Sequence, residues 1–287
     1  MLTVHSVAEL REKVIAAKAA GKKVGLVPTM GNLHEGHITL LREAKKQTEF
    51  TVVSIFVNPT QFGPNEDFDN YPRTLPDDQE KLAAAGLDLL FAPSIDEMYP
   101  NGPEPASKVI VPELSSILCG RNRPIHFTGV ATVVSKLFNM ALPDKAFFGE
   151  KDFQQLTVIK TFTKELCFPV EVIGVPTVRE SNGLAMSSRN GYLSEAEKNQ
   201  AGKIYQLLNA TADALTQPEF IISKETIEDL CDKATIELAD AGFEPDYFSI
   251  CRRSDLMPAG SGDSELVILV AAKLGNARLI DNLQVNI

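Results

Sequence analysis

Positive charge is in short supply in this chain. Its 28 Lys and Arg face 38 Asp and Glu, for a formal net charge of -10. A phosphate backbone needs a basic face, so nucleic acid is excluded as the main partner. A smaller phosphate ligand would have to be held by a local cluster of cations and backbone N–H groups, working against the field of the whole chain. Cysteine is sparse as well. Cys119, Cys167, Cys231 and Cys251 form no C-x-x-C pair, which argues against a zinc site or a disulfide framework and fits a reducing, cytoplasmic setting. No apolar run approaches the roughly 18 residues that a membrane-spanning helix requires. The chain opens into an amphipathic segment of mixed charge, so no signal peptide and no membrane partner are expected. Internal repeats and low-complexity tracts are also missing.

What is present is enough apolar material for a core. Of 287 residues, 44% are hydrophobic, which suits one large domain or two modest ones. Ser6 and Glu9 form a capping-box pattern ahead of an apolar stripe of Val7, Leu10, Val14 and Ile15. Short apolar runs at 24–27, 51–57, 87–92, 146–148 and 170–175 read as strands. Helical patterns at 36–48, from Thr74 and Pro76 to Gly86, at 130–141 and at 152–166 lie between them. This alternation implies βαβ crossovers. The predicted fold is α/β, a doubly wound parallel (Rossmann-like) sheet, with ligands at the carboxyl ends of its strands. After Pro176 the texture changes to helices at 195–215 and 223–241 and strands at 247–251, 266–272 and 277–280. The expected domains are therefore 1–176 and a smaller α+β domain, 177–287.

His34-Glu35-Gly36-His37 follows the first strong strand and opens a helix. A helix N-terminus offers N–H groups and a positive dipole end, and Gly36 allows close approach to the backbone. Two imidazoles there can stabilise charge developing on one phosphate. They also suit metal ligation, but zinc would need further ligands at suitable spacing. Asn58 and Gln61 follow a buried strand, and their amides can bond a hydroxyl and a carboxylate without adding charge. Lys151 and Asp152 sit at another strand-to-helix turn, after Gly149. Lys151 suits bridging phosphates, and Asp152 suits accepting from ribose hydroxyls. Ser194 reads as the cap of the following helix, which leaves Ser187, Ser188 and Arg189 for an anionic ligand. Asp77 and Asp78 are weak magnesium candidates in the first turn of a helix. Cys119 reads as a small buried thiol rather than a nucleophile.

The segment Pro28-Thr29-Met30-Gly31-Asn32-Leu33-His34-Glu35-Gly36-His37 resembles the pantothenate synthetase family. That family lies within the H-x-G-H nucleotidylyl-transferase superfamily, which includes class I aminoacyl-tRNA synthetases. The resemblance extends in order through Val57–Phe62, Tyr71-Pro72-Arg73, Arg123–Phe127, Phe148–Gln155 and Met186–Asn190. It implies a ligase that condenses pantoate with β-alanine through pantoyl-adenylate, releasing AMP and pyrophosphate. ATP would be its substrate, with Mg²⁺ bound alongside and no prosthetic group. It implies ATP contacts from Met30, His34, Gly36, His37, Gly149, Glu150, Lys151, Asp152, Val178, Met186, Ser187, Ser188 and Arg189. His34, His37, Lys151, Ser187, Ser188 and Arg189 would serve catalysis. Pantoate would meet Gln61, Gln155 and Asn58, with Met30 and Phe62 as apolar walls. The resemblance also implies a homodimer with a C-terminal lid domain, and makes Arg123 a further anion contact and His126 a loop-orienting residue. Two other functions remain open. A nucleotidylyltransferase acting on a phosphate would want cations in place of Asn58 and Gln61, and a nucleotide sensor would bind ATP without releasing pyrophosphate.

Overall fold

The computed structural model describes residues 1–64 and 66–287. The chain divides into two compact units, Met1–Glu150 with Gln155–Pro176, and Lys151–Gln154 with Thr177–Ile287.

The first unit begins with β1 (Leu2–Val4), α1 (Val7–Ala19), β2 (Val24–Thr29), α2 (Glu35–Gln47) and β3 (Phe50–Ile55). It continues through α3 (Leu75–Ala84), β4 (Leu89–Phe91), α4 (Ile95–Met98), α5 (Cys119–Asn122) and α6 (His126–Ala141). It closes with β5 (Lys145–Gly149), α7 (Phe153–Glu165) and β6 (Glu171–Val175), the opening residues of α7 grouping with the second unit. Its sheet runs β1-β4-β3-β2-β5-β6, and every neighbouring pair is parallel. From β2 the chain steps outward to β3, and from β5 it steps the other way to β6. The order therefore reverses between β2 and β5, the switch point where doubly wound sheets bind ligands. Gly25 pairs with Lys145, and the two strands end equally far along, at Thr29 and Gly149. The expected fold class is borne out.

The reasons are local as well as global. Ser6 accepts from the Glu9 N–H at 3.3 Å while the Glu9 carboxylate receives the Ser6 N–H at 3.1 Å, a complete capping box for α1. Leu10 and Val14 of the expected stripe are buried, but Ile15 is 58% exposed, and Ala17 holds the inward position instead. On α2, Ile38, Leu41 and Ala44 pack with Val27 and Val53. Sequence patterning overlooked β1, which pairs with β4 through Leu2, Thr3 and Val4 alone.

The second unit carries α8 (Glu195–Ala201), α9 (Lys203–Leu215) and α10 (Lys224–Asp240). Its strands β7 (Glu244–Arg252), β8 (Glu265–Leu274) and β9 (Ala277–Asn286) form an antiparallel sheet. Leu207, Leu208, Leu238, Leu266, Ile268 and Val270 belong to its core. The single helix expected over 195–215 is two. Gly202 ends one and starts the other, with the Asn182 carbonyl oxygen 2.7 Å from where a Cβ would stand. A side chain there would collide with main chain, so the break belongs to the packing.

One close approach positions the candidate site. A Cβ on Gly129 of α6 would lie 2.3 Å from the Thr60 carbonyl oxygen, so α6 presses directly on the turn Pro59–Gln61. Gly129→Ala should cost about 1–3 kcal/mol by overpacking. Urea denaturation checks this: the midpoint falls if the contact is as tight as described, and an unchanged midpoint contradicts it.

Candidate active site

The loop after β2 is held from several sides. Gly31 has φ +84° and Asn32 φ 50°, a left-handed pair that turns the chain sharply. Asp78 of α3 is fully buried and accepts the N–H groups of Asn32 at 2.9 Å and Leu33 at 2.7 Å, together with the Thr74 hydroxyl at 3.1 Å. Lys81 donates to the Leu33 carbonyl at 2.7 Å. This corrects the magnesium candidacy of the Asp77–Asp78 pair. Asp77 is exposed, Asp78 latches the loop, and no group of three or more His, Cys, Asp or Glu among the described residues could hold a metal.

The latched loop delivers His34 and His37 to the start of α2. The Nδ1 of His34 accepts the Gly36 N–H at 3.2 Å, and the Nδ1 of His37 accepts the His34 N–H at 3.3 Å. The rings lie 4.1 Å apart, tilted by 43°. These two histidines thus form a capping box of their own. A backbone N–H can only donate, so both Nδ1 atoms are bare and each neutral ring carries its proton on Nε2. The helix start therefore holds two imidazoles whose Nε2 atoms are donors, suited to phosphate oxygens.

Gln61 receives a similar orientation. Asn58 Oδ1 accepts the Thr60 N–H at 3.4 Å and the Tyr99 hydroxyl at 2.8 Å, while its Nδ2 donates to the Gly129 carbonyl at 3.2 Å. Those main-chain groups fix which end of the Asn58 amide is oxygen. Nδ2 then donates to Gln61 Oε1 at 3.1 Å, so the free end of the Gln61 amide is its NH₂, which lies 3.2 Å from Met30 Sδ. Gln61 is set up as a donor, the polarity that a carboxylate or hydroxyl oxygen needs. A cavity of about 290 Å³ opens at the carboxyl ends of β2, β3 and β4, lined by Met30, Gly31, Val57, Arg73, Asp78 and Pro93 among others; it shares Met30 with Gln61 but is not lined by Gln61 or the two histidines.

Several expectations change. Asn58 is 1% exposed, with both ends of its amide engaged inside the protein, and it orients Gln61. Phe62 is buried edge-on to Phe68 and Tyr71 at 5.4 and 5.9 Å, packing its own loop. Arg123 forks onto Glu66 through Nε at 2.7 Å and Nη2 at 2.6 Å, which replaces the expected anion contact. His126 does orient the loop, its Nδ1 lying 2.9 Å from the Gln61 carbonyl. Tyr99 is the residue sequence reasoning missed. Its hydroxyl reaches Asn58 from far along the chain, and no local pattern announces that contact.

At the switch point's other strand, a Cβ on Gly149 would meet nothing within 4 Å. No protein contact demands the glycine, which leaves room for a ligand against the backbone. Gln155, also in the first unit, is half-buried in the opening turns of α7. Glu150 also falls in the first unit, and the second unit carries the remaining candidates. Lys151 and Asp152 pair at 3.6 Å. Val178 accepts the Met186 N–H at 2.9 Å, closing a hairpin that leads into Ser187–Arg189. Ser187 was expected to be free of capping, but its hydroxyl accepts the Arg189 N–H at 3.2 Å and caps the short turn Ser188–Tyr192. Ser194 caps α8 as expected. Cys119 is buried at the start of α5, and burial pushes the Cys231 and Cys251 thiols up to about 11 and about 12, so these last two are inert at neutral pH.

A doubly wound parallel sheet with a paired-histidine helix start at its switch point defines the class, an α/β protein whose candidate anion site lies at the strand ends. The family model for pantoate-β-alanine ligase matches residues 2–284. A pantothenate synthetase of Marinobacter nauticus is 56% identical, over 99% of both chains. The crystal structure of pantothenate synthetase from Thermus thermophilus superposes with a TM-score of 0.88 at 44% identity, over 99% of both chains. A pantoate-β-alanine ligase from Francisella tularensis, solved with "Beta-gamma ATP" and β-alanine, gives a TM-score of 0.80 at 34% identity, over 99% of this chain and 97% of that one. The chain belongs to the pantoate-β-alanine ligase family.

The Glu66–Arg123 pair makes a pH prediction. Burial alone would raise the Glu66 carboxyl, but hydrogen bonds and charge from Arg123, with help from the Gly63 N–H, bring it below its ordinary value of 4.5. A carboxylate depressed in the folded state contributes stability that is present above its unfolded value and lost as pH falls through the lower, folded one. Thermal midpoints measured from pH 6 downward (on the order of one reading per half unit) should fall more shallowly for Glu66→Gln than for the parent below that ordinary value. Parallel curves would contradict the pairing.

Proposed function

We propose that the chain condenses pantoate with β-alanine at the expense of ATP. The pantoate carboxylate attacks the α-phosphorus, forming pantoyl-adenylate and displacing pyrophosphate. The amine of β-alanine, once deprotonated, attacks the acyl carbon, and AMP leaves with the electron pair of the broken acyl–phosphate bond. No covalent bond to the protein is required. ATP enters with Mg²⁺, which offsets part of the triphosphate charge.

The observation that carries this reading is the paired imidazoles at the start of α2, level with the end of β5 at the switch point. In it, the Nε2–H groups of His34 and His37 bond phosphate oxygens and stabilise the charge that builds as the α–β bridge breaks. Gly36, Gly149, Glu150 and Met30 border the nucleotide, Asp152 accepts from its ribose, and Val178 and Met186 flank it. Lys151, Ser187, Ser188 and Arg189 bind the departing pyrophosphate. Gln61 and Gln155 hold pantoate, the former through the NH₂ group that Asn58 turns outward. Catalysis on this account is mostly positioning and charge stabilisation. Neutral amides where a phosphate acceptor would want cations support an acid substrate over a phosphorylated one. The proposal includes a homodimer, supported by the family resemblance, and a cytoplasmic setting, supported by four cysteines with no disulfide.

His37→Ala and Lys151→Ala should each lower the rate of pantothenate formation by about a hundredfold or more, with circular dichroism unchanged. Rates near those of the parent for both variants would refute the assignment.

A further inference from the structure

The second unit contains a buried polar cluster that the reaction described above does not use. Asp281, on β9, is 4% exposed. The Arg179 guanidinium grips it with two bonds, Nη1 to Oδ2 at 2.5 Å and Nη2 to Oδ1 at 3.0 Å. The same guanidinium donates to the Gly183 carbonyl at 3.0 Å and the Asn282 carbonyl at 3.3 Å, and lies 3.8 Å over the Tyr205 ring of α9. Asp281 also accepts the Asn282 N–H at 2.8 Å. The Asn282 side chain turns the other way and donates through Nδ2 to the Lys151 carbonyl at 2.9 Å. A carbonyl can only accept, so that amide orientation is fixed.

The placement matters more than the ion pair. Arg179 directly follows Val178, and Arg179 and Ala185 form the bridge of the hairpin that ends in Met186 and runs into Ser187–Arg189. Gly183, which Arg179 also holds, is the turn of that hairpin, with φ +90°. One dipeptide of β9 therefore anchors the base of the serine–arginine loop through Asp281 and the backbone of Lys151 through Asn282. A buried ion pair contributes little net stability, because desolvation offsets the attraction between its members. A bidentate fork does fix direction and distance.

We infer that Asp281-Asn282 is a positioning element, which holds Lys151 and the Val178–Arg189 segment in one register for the triphosphate. This rests on the nucleotide roles proposed for those segments. Asn282 and Arg179 touch no substrate and act through the residues they hold. Losing the Asn282 amide lets the Lys151 backbone drift while the apolar core of the unit stays intact. Exchanging Arg179 for lysine keeps the charge but loses the fork, since an ammonium cannot reach both Asp281 oxygens and the Gly183 carbonyl in that geometry.

The test compares the full-length parent with Asn282→Ala, Asn282→Asp and Arg179→Lys. Calorimetric titration with Mg-ATP gives the nucleotide affinity, and steady-state kinetics give separate KM values for ATP and pantoate. In Asn282→Ala, the Kd and KM for ATP should rise about tenfold, the loss of one well-placed hydrogen bond. The KM for pantoate and the thermal midpoint should stay at parental values. Asn282→Asp, whose carboxylate would face the Lys151 carbonyl beside buried Asp281, should weaken ATP binding at least as much as the alanine variant, and Arg179→Lys should also weaken ATP binding. Unchanged ATP binding in Asn282→Ala would overturn the inference. So would equal rises in both KM values with a lowered midpoint, which would mark a merely structural role. A parent that binds ATP but makes no pantothenate would sink the proposed function alone, leaving the titrations to decide this point. A parent that does not bind ATP would sink both.

Discussion

The arrangement depends on two parallel strands that sit side by side, end level and send the chain in opposite directions. β2 crosses to β3 and β5 crosses to β6, so the loops that leave their carboxyl ends turn in opposite directions and open a crevice between them. The loop after β2 becomes the histidine-capped start of α2, and the backbone after β5 becomes the open Gly149 turn. Neither loop would matter chemically if the register between Gly25 and Lys145 slipped, because one of them would then end short of the other. The wholly parallel sheet, with interior strands such as Val24–Val27 and Val52–Val53 buried, fixes that register through packing on both faces.

On this scaffold a strongly acidic chain builds the first unit's part of the proposed anion site from donors that carry little charge. The two histidines cap their own helix through Nδ1 and so offer Nε2–H groups without needing to be cationic. Gln61 is turned into a donor by a relay from main chain to Asn58 to the glutamine amide. Arg123, the cation nearest Gln61 in this network, is neutralised by Glu66 and holds the loop. Fixed dipoles aimed in advance need little reorganisation when charge develops, which suits a reaction whose transition state places new charge on phosphate oxygens.

Much of this was legible in the sequence. Strand–helix alternation, the apolar runs of β2 and β3, and the capping boxes at Ser6 and Ser194 are local patterns, and local patterns survive into the fold. So did the strand–loop–helix setting of His34 and His37. What could not be read were pairings between distant segments. Glu66 with Arg123, Tyr99 with Asn58 and Asp78 with Asn32 and Leu33 have no periodicity that links them. Each changed the role assigned to a residue or supplied one that was missing. β1 was too short to stand out. Asp281 left one trace, a carboxylate on the inward face of β9 in register with Ala277 and Leu279. Burial of a charge in that position implies a partner, although the partner's identity is not written nearby.

The central claim is that one protein first joins an acid to AMP and then hands the acyl group to an amine. Following the two products separately tests it most directly. Pyrophosphate release should require ATP and pantoate together but not β-alanine, and AMP release should begin only when β-alanine is added. Pyrophosphate released without pantoate, or AMP appearing without the amine at the same rate as with it, would contradict the account.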